Sequence, residues 1–410
     1  MTSSSRRSAV MLPRRRALSL MGAGTVALAT PAIAQTKQMP GVTAKEILIG
    51  QTMPYSGPAS SYAPIGHIEV AYTKFINDQG GINGRMLKLL SLDDGYSPPR
   101  TLEQTRKLVE EEGVSFIFQQ LGTPTAMATR RYLNQKKVPQ LFVASGATQF
   151  GDRDNFPWTM GWQISYQIEG RVYARYIMTE KPGAKIGILY QNDDSGKDFL
   201  KGFKDGLGDK AGMIAAAISY EPTDPTVDSQ VLQLHSAGVD ALYVSSIPKV
   251  TAMALRKVRD LNWNPLYVIS SVGASVSSAL APAGLDKAVG LVTGAYLKDP
   301  SDPQWAGDPG FQDWLAFMRK YQPNGDLTDA SYVYGYTVTQ TLAATLKQCG
   351  EDLSRENIIR QAASLDLELP MMHKGIRFHT TATNYHGMKK LRLQRFDGKA
   401  WVPFGEPIGV

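Results

Sequence analysis

The sequence predicts an α/β protein built on parallel sheets. Strand-like apolar runs alternate with helical patterns along most of the chain, as expected for right-handed βαβ units. In the first 150 residues, three such runs each lead into a loop of small and hydroxyl residues, with a helix pattern after it. The three runs and their loops are 47–50 with 56–58, 114–118 with 122–125, and 140–143 with 145–148.

These three loops predict a binding site for a small molecule. Loops that follow parallel strands lie together at the carboxyl edge of the sheet, where α/β proteins bind their ligands. Backbone N–H groups and hydroxyls from the loops would converge on one crevice there. Helix N-termini at the same edge favour an anion. A carboxylate is therefore the expected anionic group of the ligand.

Periodicity predicts the other elements. A helix is expected near 65–79, because Ile68, Tyr72 and Ile76 share one face and Gly80 follows the last turn. Further helices are expected near 98–112, 249–262, 308–321, 331–348 and 355–363. Further strands are expected near 86–92, 185–190, 241–245, 266–269, 289–293, 389–395 and 400–402. Asp397-Gly398 separates the last two strands, which is typical of a hairpin.

The N-terminal segment has the pattern of an export signal. A basic region is followed by an apolar stretch at 17–29, which is too short to span a bilayer. Ala32-Ile33-Ala34 matches the small-x-small cleavage rule, so residues 1–34 are expected to be removed. Arg15-Arg16 also resembles a twin-arginine signal, and the general and twin-arginine export routes both stay open.

The charge and cysteine content exclude several classes. The formal charge of +7 includes five arginines within 1–34, which leaves 39 basic against 37 acidic residues in the remainder. No basic run with interleaved aromatic residues remains, so nucleic acid is not an expected partner. The single cysteine, Cys349, excludes an intrachain disulfide and is expected to be buried. About 375 residues exceed what one core usually supports, which predicts two lobes.

Motifs of enzymes are incomplete. Ser246-Ile247-Pro248-Lys249 spells S-x-x-K, but the partner motifs of that class do not follow. The nucleophile-elbow, P-loop and zinc-protease patterns do not occur. His373, His379 and His386 are close in sequence, yet their spacing fits no metal pattern. We therefore expect no enzymatic activity, no cofactor and no metal.

Six motifs together resemble one family. Their order and spacing are similar to those of the periplasmic solute-binding proteins of ABC importers, in the branched-chain amino acid (leucine/isoleucine/valine-binding) family, over nearly all of the chain after residue 40. The motifs are Ser56-Gly57-Pro58, Gly80-Gly81-Ile82-Asn83-Gly84, Gly122-Thr123-Pro124-Thr125, Ser145-Gly146-Ala147-Thr148, Asp193-Asp194-Ser195-Gly196-Lys197 and Asp397-Gly398-Lys399.

The resemblance implies the type I periplasmic binding fold. In that fold two Rossmann-like lobes with parallel sheets are joined by a hinge of three crossovers. These are expected here near 161–162, 295–296 and 384–387. Lobe 1 would then comprise 35–161 and 296–384, and lobe 2 would comprise 162–295 and 385–410. The resemblance also implies a periplasmic, monomeric receptor that closes on its ligand and delivers it to membrane permease subunits.

The resemblance places carboxylate contacts on lobe 1. Thr123 precedes Pro124 at a helix start, and the family uses a Ser or Thr there to bind the carboxylate of the ligand. The small pair Gly146-Ala147 and the hydroxyl of Thr148 match a second family contact. Tyr62 matches a tyrosine that covers the ligand. The alternative interpretations are a simple helix cap, an ordinary Ser/Thr turn and a surface tyrosine.

Lobe 2 departs from the pattern of the amino-acid binders. Those proteins commonly have a tyrosine where this chain has Ser195, and an acidic residue for the ammonium where it has Val272. Burying an ammonium without a counter-charge costs several kcal/mol. Ser246 also replaces bulkier residues, and Trp162 is a further candidate contact. We therefore expect an aromatic or other apolar acid that lacks a free amine.

Three alternatives stay open at this stage. A branched-chain amino acid would still fit if Asp94 or Asp193 reached its ammonium. A sensor of the same fold would deliver the signal of the bound ligand to a regulator instead of delivering cargo to a permease. A periplasmic enzyme is a distant third interpretation.

Overall fold

Two sheets of mainly parallel strands form the framework in the computed structural model, which describes residues 39–409. The predicted α/β class is confirmed. The export signal predicted for 1–34 lies outside the described residues.

The first sheet has five parallel strands in the order β2-β1-β3-β4-β5. They are β1 (Glu46–Met53), β2 (Met86–Asp93), β3 (Phe116–Phe118), β4 (Gln140–Val143) and β5 (Thr159–Gly161). Strands β3 and β4 are buried at every position, as expected for central strands with helices on both faces.

The second sheet has seven strands in the order β14-β13-β10-β9-β8-β6-β7. The strands from β6 to β10 pair in parallel, whereas β13 is antiparallel to both β10 and β14. Phe396 and Trp401 face each other across the turn at Asp397-Gly398, so the predicted hairpin is confirmed. The strands are β6 (Ile186–Gln191), β7 (Ile214–Tyr220), β8 (Ala241–Ser245), β9 (Leu266–Ile269), β10 (Val292–Ala295), β13 (Lys390–Phe396) and β14 (Trp401–Gly409).

Helices flank both sheets, and a small ribbon pairs β11 (Asp366–Leu367) with β12 (Phe378–His379). Within residues 39–409, no helix has both the length and the apolar character that crossing a membrane requires. The helices are α1 (Ala63–Asp78), α2 (Pro98–Arg106), α3 (Thr123–Gln135), α4 (Tyr166–Glu180), α5 (Asp194–Leu207), α6 (Asp228–Ser236), α7 (Pro248–Asp260), α8 (Ala281–Ala283), α9 (Leu285–Ala288), α10 (Pro309–Tyr321), α11 (Ala330–Cys349) and α12 (Arg355–Ala362).

Close packing of α1 and α11 shows how the sequence joins distant segments. The predicted apolar face of α1 is buried at Ile68, Tyr72 and Ile76, and Ile65 is buried beside it. On α11 the facing residue is Gly335, where a Cβ would overlap the Ile68 side chain and lie 2.8 Å from the Ile65 carbonyl oxygen. The missing side chain lets the two helices approach. The segment after β10 therefore packs against the first sheet's helices.

The chain passes between the two sheets three times. It leaves the first sheet after β5, leaves the second after β10, and returns to the second at β13. Between the last two passages, Arg355 of α12 donates hydrogen bonds to the carbonyls of Val114 and Ser115, beside the first sheet. The lobe boundaries derived from the resemblance stay a prediction.

Candidate ligand-binding site

A cavity of about 160 Å³ lies where loops from both sheets meet. Gly122 and Thr123, after β3, line it from the first sheet. Ser246, after β8, and Ser271, after β9, line it from the second sheet, together with Tyr296 after β10. These are carboxyl ends of parallel strands, which is where the sequence predicted a site.

The N-terminus of α3 forms one end of the cavity wall. Gly122 precedes the helix with a φ of 99°, and no side chain caps it. A Cβ at Gly122 would overlap the ring of Tyr96, so both the left-handed φ and the close ring require glycine. Helices α5 and α11 differ, because the carboxylates of Asp193 and Asp329 cap them. The first-turn N–H groups of α3 therefore still have the capacity to bind an anion.

Thr123 is the first residue of α3 and lines the cavity. Its hydroxyl lies 2.7 Å from the Ser145 hydroxyl, and either group can be the donor. Each hydroxyl carries a single proton, so one of the two hydroxyls can still donate to a bound oxygen. Helix α7 also lacks a side-chain cap, but the Ile247 N–H that precedes it already donates to the Tyr220 hydroxyl at 3.2 Å.

Aromatic rings form much of the remaining wall. The rings of Tyr166 and Phe199 are stacked, with centroids 4.0 Å apart. Tyr62 spans the two sheets, since its hydroxyl donates to the Val272 carbonyl at 2.7 Å. The aromatic residues of the lining are Tyr62, Tyr96, Tyr166, Phe199, Tyr296 and Tyr334.

The structure does not bring the second predicted carboxylate loop into the cavity. Gly146 is covered, because a Cβ there would overlap the Ile164 carbonyl oxygen and lie 2.6 Å from the Tyr166 ring. Ala147 is 1% exposed. Thr148 donates its N–H and its hydroxyl to Asp198 Oδ2, at 2.8 and 2.7 Å. Tyr166 thus fills the space where the sequence placed a ligand oxygen.

Trp162 lies one layer behind the cavity. Its side chain is fully buried, and its indole N–H donates to the Thr341 hydroxyl at 3.0 Å. The indole packs against Tyr334 and Tyr296, with ring centroids 5.1 and 6.1 Å away. Trp162 therefore supports two rings of the wall and is not part of the lining.

Ser195, Ser246 and Val272 line the cavity from the second sheet. The hydroxyl of Ser195 donates to Asp193 at 2.5 Å, and that of Ser246 lies 2.7 Å from Thr251 Oγ1. The Ser195 hydroxyl is therefore engaged as a donor, whereas the Ser246 and Thr251 hydroxyls share one hydrogen bond and one of them can still donate. The main effect of these three small side chains is to leave space in the cavity.

Sequence reasoning missed an acidic residue in the wall. Asp299 lines the cavity and is 6% exposed, and burial raises the pKa of its carboxyl to about 6. The acids considered from the sequence are engaged elsewhere. Asp193 caps α5, and Asp94 accepts from the Tyr96 N–H and the Thr101 hydroxyl. No local sequence pattern marks Asp299 as a site residue. It reaches the cavity because the chain crosses between the sheets after β10.

The comparisons with known proteins agree with this architecture. The family model of periplasmic binding proteins matches residues 46–400. The chain belongs to the periplasmic binding protein family. A Leu/Ile/Val-binding protein homolog of Brucella abortus is 22% identical over 381 residues, which cover 89% of this chain and 93% of the relative.

Two solved periplasmic binding proteins show the same fold. A branched-chain amino acid ABC transporter protein from Thermus thermophilus, with bound valine, has a TM-score of 0.80 at 17% identity and covers 90% of this chain and 98% of its own. A solute-binding protein of an ABC transporter from Rhodopseudomonas palustris, in complex with 3,4-dihydroxybenzoic acid, has a TM-score of 0.73 at 18% identity, with coverages of 89% and 97%.

Proposed function

We propose that this periplasmic binding protein captures a small carboxylate between its two lobes and delivers it to the permease of an ABC importer. The observation that carries the proposal is the uncapped N-terminus of α3, which reaches the cavity with Thr123 at its first position. Family membership supports the periplasmic location and the transport role. The α3 N–H groups and the Thr123 hydroxyl would hold the carboxylate.

Neutral donors would hold this anion, because the neighbouring cation is already engaged. Lys298 lines the cavity, but its ammonium lies 2.6 Å from Asp308 Oδ1 and donates to the Pro370 carbonyl at 2.8 Å. It also lies above the Trp305 ring, 5.3 Å from the centroid. A ligand carboxylate would therefore rely on the partial positive charge of the α3 N-terminus.

An aromatic acid is the ligand class that we favour. Six rings line the cavity, and an apolar cavity of about 150 Å³ is sufficient to bind benzene. The volume of about 160 Å³ therefore suits one aromatic ring better than a long acyl chain. The 3,4-dihydroxybenzoic acid bound to the Rhodopseudomonas protein supports this class. Tyr166 and Phe199 would stack on such a ring.

A branched-chain amino acid is the second candidate, favoured by the valine bound to the Thermus protein and by the carboxyl of Asp299 in the wall. A thermal-shift panel of benzoate, 4-hydroxybenzoate, leucine, isoleucine and valine separates the two. A ligand at a hundred times its dissociation constant stabilises by about 2.7 kcal/mol. We expect stabilisation by the aromatic acids. Stabilisation by the amino acids alone would contradict the favoured class.

Release of a bound molecule tests the wider proposal. Protein purified from the periplasm is denatured, and the small molecules that it releases are identified by mass spectrometry. We expect an acid that the cognate importer takes up. If the protein were instead a receptor for sensing, uptake of the acid would be unaffected by loss of this protein.

Replacing Thr123 with Val should weaken binding of the cognate acid by roughly tenfold or more, since a hydrogen bond to a charged group contributes about 1.5–3 kcal/mol. Valine keeps the shape and removes the hydroxyl. Thr345→Val is the matched control, because the Thr345 hydroxyl donates to the Thr341 carbonyl within α11, outside the lining. Calorimetric titration measures both. Equal affinity in the wild type and the Thr123 variant would mean that Thr123 only begins the helix.

A further inference from the structure

Asp299 lies in the cavity wall with half of its carboxyl group unpaired. Its Oδ1 accepts from the Ser301 N–H at 2.9 Å and from the Ser301 hydroxyl. Within residues 39–409, Oδ2 accepts no hydrogen bond. Asp299 lines the cavity, so a ligand that covered Oδ2 without supplying a donor would leave a buried polar atom unpaired, at a cost in free energy.

The charged groups near Asp299 do not pair with its free oxygen. The groups that act on the carboxyl include Asp302 and Asp329, which are also acidic. The neighbouring ammonium of Lys298 is directed to Asp308. Asp302 accepts from the Gln304 N–H at the start of a short 3-10 helix (Pro303–Gly307), and Asp329 accepts from the Ser331 N–H at the start of α11. Asp299 is the member of this group that lines the cavity.

A second side chain in the wall also has an acceptor without a partner. Gln394 of β13 lines the cavity and is 4% exposed. Its Oε1 is buried and has no hydrogen-bond partner in the described part of the chain. Two independent elements, the segment after β10 and strand β13, therefore present unpaired acceptors. A ligand made only of a carboxylate and an apolar body would leave both of them unsatisfied.

Asp299 and the α3 N-terminus have different surroundings. Gly122 and Thr123 contact Tyr96 and Ser145, whereas the Asp299 carboxyl accepts from Ser301 and lies within reach of the charge of Asp329, which caps α11. An α-amino acid carries its ammonium directly beside its carboxylate. A donor at the far end of the ligand fits the separate surroundings better.

We propose that Asp299 is a specificity-determining residue, which accepts a hydrogen bond from a donor on the ligand remote from its carboxylate. The donor is a phenolic hydroxyl or an ammonium group. This inference rests on the proposed function, since it assumes that the carboxylate binds at α3. The site would then bind a hydroxyaryl or aminoalkyl-aryl acid more tightly than the same acid without the donor.

Three ligands and two variants test the inference by calorimetric titration. Benzoate has no donor, 4-hydroxybenzoate has a neutral donor, and 4-(aminomethyl)benzoate has a cationic one. Asp299→Asn keeps the shape and the acceptor for Ser301, and it places an amide N–H₂ where Oδ2 lies. Asp302→Asn is the control, because it removes a neighbouring buried charge outside the cavity lining.

We expect one donor-bearing acid to bind the wild type at least tenfold more tightly than benzoate. Asp299→Asn should remove that preference, and Asp302→Asn should retain it. A preference for the hydroxyl identifies a phenolic acid, and a preference for the aminomethyl group identifies a cationic one. Equal binding of all three acids, or a preference that survives in Asp299→Asn, overturns the role of Asp299. In either case, measurable binding of benzoate leaves the proposed function intact. Failure of all three acids to bind overturns the inference and the aromatic class together.

Discussion

Replacing Trp162 with Ala should lower the free energy of unfolding by about 3–5 kcal/mol, the usual cost of truncating a fully buried large aromatic residue. The indole is 0% exposed and packs against Tyr296, Tyr334 and Phe378. Its N–H donates to Thr341, whose hydroxyl would lose this donor. Urea unfolding followed by circular dichroism measures the change.

Trp162→Phe is the control, because it keeps a ring and removes less volume, so its loss should be clearly smaller. Ligand affinity should fall in the alanine variant as well, since Tyr296 and Tyr334 lose the surface that supports them. A loss of stability below about 1 kcal/mol with a large loss of affinity would contradict the buried position. It would favour the direct ligand contact that the sequence had suggested.

The contrast between Trp162 and Thr123 shows what a sequence can reveal about this site. Thr123 stands at a strand end followed by a helix start, and local pattern alone is enough to place it in the crevice. The position of Trp162 depends on α11, which begins about 170 residues later and covers the indole. Local pattern carries no information about such a partner.

The same limit explains the loop at Gly146 and Thr148. The small residues there match a ligand contact, and nothing nearby in sequence argues against one. In the structure, residues of α4 and α5 occupy the space beside this loop. Tyr166 packs against Gly146, and Asp198 accepts a hydrogen bond from the Thr148 N–H. Asp299 is the converse case, because the segment that carries it has no motif and gains its position from the crossover after β10.

Fold elements were predictable where one apolar face recurs. Strands β8 and β9 match the predicted ranges, and the helix predicted near 331–348 corresponds to α11. Helices α4 and α5 were not predicted, although Phe199, Phe203 and Leu207 recur on the buried face of α5. The close packing of the two helices depends on Gly202 of α5, where a Cβ would overlap the backbone of Gln167 in α4. Local pattern does not reveal which backbone approaches such a glycine.

Replacing Asp198 with Ala should reduce ligand affinity by at least tenfold. The carboxylate lies on α5 beside the second sheet and accepts two hydrogen bonds from Thr148, in the loop after β4 of the first sheet. Gln167 donates a third, at 2.6 Å. Hydrogen bonds to a charged group contribute about 1.5–3 kcal/mol each, and truncation leaves the Thr148 N–H without its acceptor.

The expected loss of affinity follows from where this contact lies. If the two lobes close on the ligand as proposed, Asp198 stabilises the closed arrangement without touching the ligand. Its removal would populate the open arrangement, and the apparent affinity would fall in proportion to the fraction of molecules that are competent to bind.

Asp205→Ala is the matched control on the same helix, because Asp205 forms an exposed ion pair with Lys201, which contributes little to stability. Calorimetry gives the affinity, and small-angle scattering of the ligand-free protein reports the opening. The prediction is contradicted if the variant has a lower free energy of unfolding but unchanged affinity and unchanged scattering. The Thr148–Asp198 contact would then stabilise the fold alone, because a contact that both arrangements share cannot shift the equilibrium between them.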